Sequence, residues 1–276
     1  MLEPYPLPVG HVYQPRPVSI DRDIQIAKLT ASGIDPGVHG DRLDLTFLGL
    51  PILDALTERD VPLQGQVHVY QRFIQHAPIM LDGELNMRGE ITAIEKVAKG
   101  EVVRWAFDFT DRTGRHLVTI DRAGLRPQAR TAEDGGKNGG KNGGRGGATD
   151  FLAPPEEDQP GFEILWQRTL VPDDVARYSS DGRNKIHSEP EIARQFGFRA
   201  PIAAGLIGVH YYLEAMAGYG ATDKLDLEIW FKRPMFWDET LTLRRHVDGS
   251  RLTSMRIENQ AGKPASLARI NPSPDV

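Results

Sequence analysis

The sequence of 276 residues contains no cysteine, and this absence excludes several kinds of chemistry at once. Without cysteine, the chain has no disulfide, no thiolate nucleophile and no cysteine-ligated zinc or iron–sulfur site. The lack of disulfides fits a reducing compartment, so we expect a cytoplasmic protein.

Long apolar runs and a strong charge of one sign are also absent. No apolar stretch is long enough to cross a bilayer, and the first residues lack the charged-then-apolar order of a signal peptide. The formal net charge is only −5, and basic residues are scattered among acids, which argues against a nucleic-acid-binding surface. We therefore expect a soluble protein that acts on a small molecule, with neither nucleic acid nor a membrane as its partner.

Known cofactor and metal motifs are missing as well. The sequence has no glycine-rich phosphate loop, no nucleophile elbow and no His–Glu metal motif on a helix. We predict no cofactor and no metal.

Glycine is concentrated in one segment, GGKNGGKNGGRGGATD at residues 135–150. This composition cannot form a packed core, so it predicts a flexible linker. A glycine-rich coil of about 15 residues spans roughly 20 Å, enough for its flanking domains to lie side by side. We therefore predict an N-terminal domain at 1–134 and a C-terminal domain at 151–276.

The two predicted domains also share patterns in the same order along the chain. The first pair of matching segments is Asp82–Leu85 with Asp238–Leu241, and the second is Gly114–Arg115 with Gly262–Lys263. The simpler alternative is that any two antiparallel meanders share such strand and turn signals. We favour an internal duplication.

Each half also contains one apolar segment with helical spacing. The segment LGLPILDALTER at residues 48–59 predicts a short helix in the first half. In the second half Pro201 suits a first helical position. The apolar residues after it are spaced by three and four, which predicts a buried helix of about four turns. They are Ile202, Leu206, Val209, Leu213 and Met216.

The most informative segment, YSSDGRNKIHSEPEIARQFGFRAPIAAGLI at residues 178–207, places a polar loop directly before this helix. Taken alone, a histidine in such a loop is more often structural than catalytic. However, Gly205 and Gly208 disfavour a helix, and their presence at its start suggests close approach of a backbone or a ligand.

Together with FKRPMFWDETL at 231–241, this segment resembles the MaoC-like dehydratases, also called the hydratase 2 family of R-specific enoyl-thioester hydratases. Their hallmark is S-G-D-x-N-P-x-H, followed by an Ala-bearing helix, a Gly-Phe step and P-I-x-x-G. The matching positions are Asn184, Ile186, His187, Ala193, Gly197, Phe198, Pro201, Ile202 and Gly205. The first half resembles the family only through the internal repeat.

The resemblance implies an α+β fold with two hotdog domains, each a long helix wrapped by an antiparallel β-sheet. It implies catalysis in the second half and an acyl-accommodating, non-catalytic role for the first. The implied activity is a hydro-lyase, an enoyl-CoA hydratase or 3-hydroxyacyl-thioester dehydratase, whose partner is an acyl thioester of coenzyme A or acyl carrier protein. The two hotdogs would pair within the chain, and further homodimerisation is left open.

The resemblance also assigns roles to individual residues. His187 would take the proton of water, since its ordinary pKa lies near neutrality, and Asn184 would orient the reacting groups. The backbone N–H of Gly205, at the start of the helix, would stabilise the enolate oxygen.

The sequence departs from the family at the acid, which the family carries two positions before the asparagine. That position is Gly182 here, and the carboxylate is Asp181, one residue earlier. In a loop with a flexible glycine the backbone can turn this side chain back toward the site, so Asp181 is the predicted acid. The alternative is a site run by His187 and Asn184 alone.

Two other functions remain open on the sequence. A hotdog thioesterase would hydrolyse the same substrates, and a non-catalytic protein would only bind an acyl thioester. We assign His210, Tyr211 and Tyr212 to the core. Lys232 and Arg233 are interpreted as a solvated basic face, with contact to coenzyme A phosphates as the less favoured alternative.

Overall fold

The computed structural model describes residues 5–59, 61, 63, 66–98, 100–127, 154–157, 160–180, 184–220 and 223–272. The glycine-rich segment at 135–150 and Asp181 lie outside these described residues. No helix among the described residues is long and apolar enough to cross a membrane.

The described part of the chain forms a ten-stranded antiparallel sheet. The strands are β1 (Val12–Val18), β2 (Val67–Gln75), β3 (Leu85–Val97), β4 (Gly100–Thr110), β5 (His116–Pro127), β6 (Glu163–Thr169), β7 (Leu225–Phe231), β8 (Thr240–Asp248), β9 (Arg251–Glu258) and β10 (Pro264–Asn271).

The strand order repeats between the two halves of the chain. Across the sheet it is β1-β3-β4-β5-β2-β7-β10-β9-β8-β6. From the edge to the centre, the first half runs β1, β3, β4, β5, β2 and the second half runs β6, β8, β9, β10, β7, so both halves place their first, third, fourth, fifth and second strands in that order. The matched turns fall at equivalent places, with Gly114 between β4 and β5 and Gly262 between β9 and β10. Both glycines have positive φ, 85° and 70°, which a glycine adopts without steric cost. The topology therefore agrees with the predicted repeat.

The centre of the sheet joins the halves through β2 and β7, whose ladder runs from Tyr70 opposite Trp230 to Gln75 opposite Leu225. Side chains reinforce this ladder, since Arg72 donates to both carboxylate oxygens of Asp226 at 2.8 and 2.7 Å. The two halves are thus continuous through backbone hydrogen bonds.

The helices pack on the sheet and differ in length between the halves. The first half has a helix at the predicted place, 9 residues long, and the second half has a buried helix of 13 residues. The described α-helices are α1 (Arg22–Ala31), α2 (Gly49–Thr57), α3 (Pro172–Tyr178), α4 (Pro190–Gln195) and α5 (Gly205–Ala217).

The start of the long helix differs from the prediction, because Pro201 is not its first residue. The segment before Gly205 is tied to other parts of the chain: the N–H of Ile202 donates to the Ile186 carbonyl at 3.2 Å, and that of Ala203 to the Met235 carbonyl at 2.7 Å. Ile202 also forms an isolated β-bridge with Phe236. Tertiary hydrogen bonds thus hold these residues out of the helix, which begins at Gly205.

One hydrophobic core is shared by the two halves. Side chains of α2 and β2, such as Ile52 and Phe73, belong to the same buried cluster as Val209 and Tyr211 of α5 and Ile229 of β7. Residues from both halves therefore surround any cavity next to α5.

Candidate active site

A cavity of about 390 Å³ opens between the halves at the start of α5. The second half lines it with the loop before α4, the residues around Gly205, and the segment from Phe231 to Met235. The first half contributes Lys28, the apolar side chains of Leu50 and Leu53 on α2, and parts of β2 and β5. This cavity brings together three of the four predicted site residues, Asn184, His187 and Gly205.

His187 ends a 3₁₀ turn, Lys185–His187, and is held by its backbone surroundings. Its Nδ1 lies 2.8 Å from the carbonyl oxygen of Ile202. A carbonyl only accepts, so in this contact Nδ1 carries the proton and donates it. The neutral ring then keeps a lone pair on Nε2, which is the form required of a general base.

Asn184 immediately precedes the same turn and lines the cavity. Its Oδ1 is buried and makes no hydrogen bond to any described residue. A buried amide oxygen without a partner is costly, which is consistent with a hydrogen bond to a group in the cavity.

Gly205 is the first residue of α5, and Ala204 before it provides no side-chain cap. The first N–H groups of a helix have no partner within the helix and carry partial positive charge. A Cβ at position 205 would lie 3.1 Å from the Phe231 ring, tighter than ordinary contact. The glycine therefore lets the aromatic ring pack closely against the helix start, next to the cavity.

Asp181 lies outside the described residues. Its role as the acid stays a prediction.

The basic residues at 232 and 233 line the cavity, and both interact with Glu157. Lys232 pairs with that carboxylate, and Arg233 also donates to the Pro264 carbonyl at 2.6 Å. Both line the cavity wall, Lys232 is exposed to solvent as expected, and Arg233 is half-buried.

The assignment of His210, Tyr211 and Tyr212 to the core is confirmed, because all three are fully buried and their polar atoms are hydrogen-bonded. The sequence pattern did not indicate the partner of His210, which is Asp44 of the first half. Asp44 Oδ2 lies 2.7 Å from His210 Nδ1, and Tyr178 Oη lies 2.9 Å from His210 Nε2.

This chain of buried polar groups runs from Asp44 to Tyr178, which lines the cavity. Burial acts to raise the pKa of Asp44, but His210 and His39 outweigh it and hold the pKa below its usual value. Asp44 also accepts from the N–H of Thr46 at 2.8 Å. The hydrogen bond to His210 thus holds Asp44 of the first half against the middle of α5.

Sequence reasoning also missed three polar side chains of the first half on the cavity wall, Gln66, His68 and Arg122. Each has a buried nitrogen with no hydrogen-bond partner among the described residues. The sequence pattern could not identify them, since a single polar residue within a strand or next to its end usually faces solvent.

Within the described residues, no group of three or more His, Asp or Glu side chains is placed to hold a metal ion.

Comparison with known proteins first defines the class of fold. No family model matches the chain. A Mycobacterium tuberculosis protein with a double hotdog fold superposes with a TM-score of 0.58 and 14% identity, over 97% of both chains. A MaoC-like dehydratase superposes with a TM-score of 0.70 and 19% identity, over 95% of this chain and 97% of its own. The mixed α and β architecture with a large antiparallel sheet is thus that of double-hotdog proteins.

Two particular proteins are similar over much of this chain. HtdX from Mycobacterium tuberculosis superposes with a TM-score of 0.71 and 20% identity, over 93% of this chain and 98% of its own. In sequence, the peroxisomal multifunctional enzyme type 2 of Drosophila melanogaster is 28% identical over 214 residues, which are 76% of this chain and 34% of that enzyme. The chain therefore spans about a third of the length of this curated relative. The resemblance to MaoC-like dehydratases is confirmed at the level of the fold.

Proposed function

We propose that the protein is a hydro-lyase that adds water to, or removes it from, the 2,3 position of an acyl thioester. The observation that carries the proposal is the placement of His187 and the start of α5 at Gly205 on one cavity. Hydration of a conjugated thioester needs a base for water and hydrogen-bond donors for the oxygen that becomes negative, and this pair supplies both.

In the hydration direction, His187 Nε2 accepts a proton from water while the water oxygen bonds to C3 of the substrate. The electrons of the C2–C3 double bond move toward the thioester carbonyl, whose oxygen gains negative charge. The N–H of Gly205 donates to that oxygen, and one such donor contributes about 3 kcal/mol in other enzymes. A proton delivered to C2, for which Asp181 is the proposed acid, completes the addition.

We propose a division of labour in which residues 151–276 form the catalytic hotdog and residues 1–134 form a hotdog that accommodates the acyl group. The lining of the cavity supports this, because His187 and Gly205 come from the second half and Leu50 and Leu53 from the first. The substrate would be carried by coenzyme A or acyl carrier protein, with the cationic Lys232 and Arg233 on the same wall.

The direct test mixes the protein with enoyl-CoA thioesters of different acyl structure and follows the conjugated enoyl absorbance. A hydratase removes this absorbance without releasing a free thiol. Thiol release would instead identify the thioesterase alternative, and binding without either change would identify a non-catalytic acyl-thioester-binding protein. If no apolar, branched or carboxylated enoyl thioester is hydrated, on either carrier, the proposal is wrong.

A further inference from the structure

The wall that the first half adds to the cavity has an unusual polarity. Gln66, His68 and Arg122, together called the inner recess here, all line the cavity. Gln66 and Arg122 are almost fully buried, with residue exposures of 9% and 8%. The unpartnered atoms are Gln66 Nε2, His68 Nε2 and Arg122 Nε.

Arg122 is the critical member because it is a charged group on the core side of the sheet. It lies two residues after Ile120, which is fully buried in the core, so both side chains point to the same face of β5. The Nε of its guanidinium has no hydrogen-bond partner, and among the described residues the group that acts electrostatically on Arg122 is the Tyr5 hydroxyl and not a carboxylate. Burial lowers the pKa of Arg122 to about 10, which still leaves it protonated at neutral pH.

A second arginine on the same strand shows how the fold treats a buried guanidinium elsewhere. Arg126 lies on the same face as Arg122 and is equally buried, at 8% exposure. It is paired with Glu101 at 2.8 Å. Burying a charge without a partner is strongly unfavourable, so the absence of an equivalent carboxylate beside Arg122, among the described residues, points to an anion from outside the chain.

Of the other two recess residues, Gln66 adds a donor for an anion and His68 adds no charge. The amide nitrogen of Gln66 is a donor. Burial, and then the charge of Arg122, hold the pKa of His68 well below its usual value. His68 is therefore neutral near pH 7, and because its single ring proton is used in a hydrogen bond to the backbone of Tyr70, it adds neither a charge nor a donor to the recess.

The recess lies next to the proposed reaction centre. The His68 ring stacks on the Phe231 ring with centroids 4.5 Å apart. Phe231 in turn packs against Gly205, where an added Cβ would meet it at 3.1 Å. Lys28, Arg122, Lys232 and Arg233 line the cavity, and Lys232 and Arg233 share Glu157 as an ion-pair partner, whereas no described carboxylate is paired with Arg122.

We propose that the inner recess binds an anionic group on the acyl part of the substrate, so that the enzyme acts on enoyl thioesters that end in a carboxylate. This rests on the proposed hydro-lyase function and specifies its substrate class. A carboxylate accepts paired hydrogen bonds from a guanidinium. The burial of Arg122 favours a small group at the end of an acyl chain over the larger phosphates of the carrier.

The test compares glutaconyl-CoA, which carries a terminal carboxylate, with its apolar counterpart 2-pentenoyl-CoA. We expect a higher kcat/KM for glutaconyl-CoA. Arg122→Met should lower kcat/KM for glutaconyl-CoA about 10- to 100-fold, the usual loss for hydrogen bonds to a charged group, and leave 2-pentenoyl-CoA nearly unchanged. Arg122→Lys should recover part of the loss. The matched control is Arg104→Met, which removes a strand arginine outside the cavity that pairs with Glu95.

Three outcomes would overturn the inference. Equal rates on the two substrates, with Arg122→Met neutral on both, would show that the recess takes no carboxylate while the hydro-lyase function stands. An equal loss on both would assign Arg122 to an anion of coenzyme A. If Arg104→Met lowers kcat/KM for glutaconyl-CoA as much as Arg122→Met does, the loss is a general effect of removing an arginine from the sheet.

A binding measurement keeps this inference separate from the proposed function. Titration calorimetry with saturated glutaryl-CoA and pentanoyl-CoA needs no turnover. If no enoyl thioester is hydrated, a preference for glutaryl-CoA that disappears in Arg122→Met still supports the recess, and equal binding of the two compounds overturns it.

Discussion

The two halves of the molecule have the same strand order but differ in what lies against the sheet. In the second half the long helix α5 fills the space, and the adjoining strand β7 presents Leu227 and Ile229 to the core. In the first half the helix α2 is shorter, 9 residues against 13. Its Leu50 and Leu53 line a cavity instead of closing it.

The polar groups differ in the same way. The second half supplies His187, whose ring is held by a backbone carbonyl, and it also supplies the start of α5 at the cavity. The first half supplies the unpartnered donors of Gln66 and Arg122 in the inner recess. A repeated sheet thus provides a common frame, and in the proposed function the differences between the repeats would separate the chemistry from the recognition of the acyl group.

The largest expected effect is on the reaction itself. His187→Ala should lower kcat about a thousandfold, within the usual range for loss of a general base, and leave the melting temperature close to that of the wild type. The control is His116→Ala, which should retain full activity because His116 is exposed at the start of β5 and does not line the cavity. Near-normal turnover by His187→Ala would remove the second half from its proposed catalytic role.

A second test concerns the acid whose position departs from the family. Asp181→Asn replaces the carboxyl group with an amide of similar size that cannot transfer a proton, and it should lower kcat about a hundredfold if Asp181 delivers the proton to C2. A rate close to wild type would favour a site of His187 and Asn184 alone. Exchanging the two residues, Asp181→Gly with Gly182→Asp, restores the family order. Higher activity of this variant on simple enoyl thioesters would mean that the natural order is a modification of the family site.

The third prediction concerns stability, and it addresses how the first half supports the second. Asp44→Asn removes the anion between His210 and His39, and we expect a loss of about 3 kcal/mol in the free energy of unfolding. The rate per folded molecule should change far less than in His187→Ala. Denaturant titration measures the stability, and the same absorbance assay measures the rate.

The pH dependence has a definite sign. Because the pKa of Asp44 is lower in the folded state than its usual value, its contribution to stability is present above about pH 4 and is lost as the pH falls further. The Asp44→Asn variant should therefore lose less stability than the wild type between pH 5 and pH 3. An unchanged acid dependence would mean that Asp44 does not contribute through its charge.

The sequence alone determined those features that depend on local pattern. Helical spacing of apolar residues located α5 and α2, and the matched turns at Gly114 and Gly262 anticipated a repeat that the strand order displays. The family motif singled out Asn184, His187 and Gly205, because a motif keeps its residues within one short stretch of chain. Their presence on one cavity follows from that stretch folding around the start of α5.

Tertiary structure decided whatever depends on contacts between distant residues. It set the first residue of α5 at Gly205, because backbone hydrogen bonds to Ile186 and Met235 hold Ile202 and Ala203 extended. It joined Asp44 to His210, which are 166 residues apart in the chain. It also turned Arg122 toward a cavity where no described acid meets it. A buried charge and its missing partner are defined only in three dimensions, because they depend on which distant side chains fill the surrounding space.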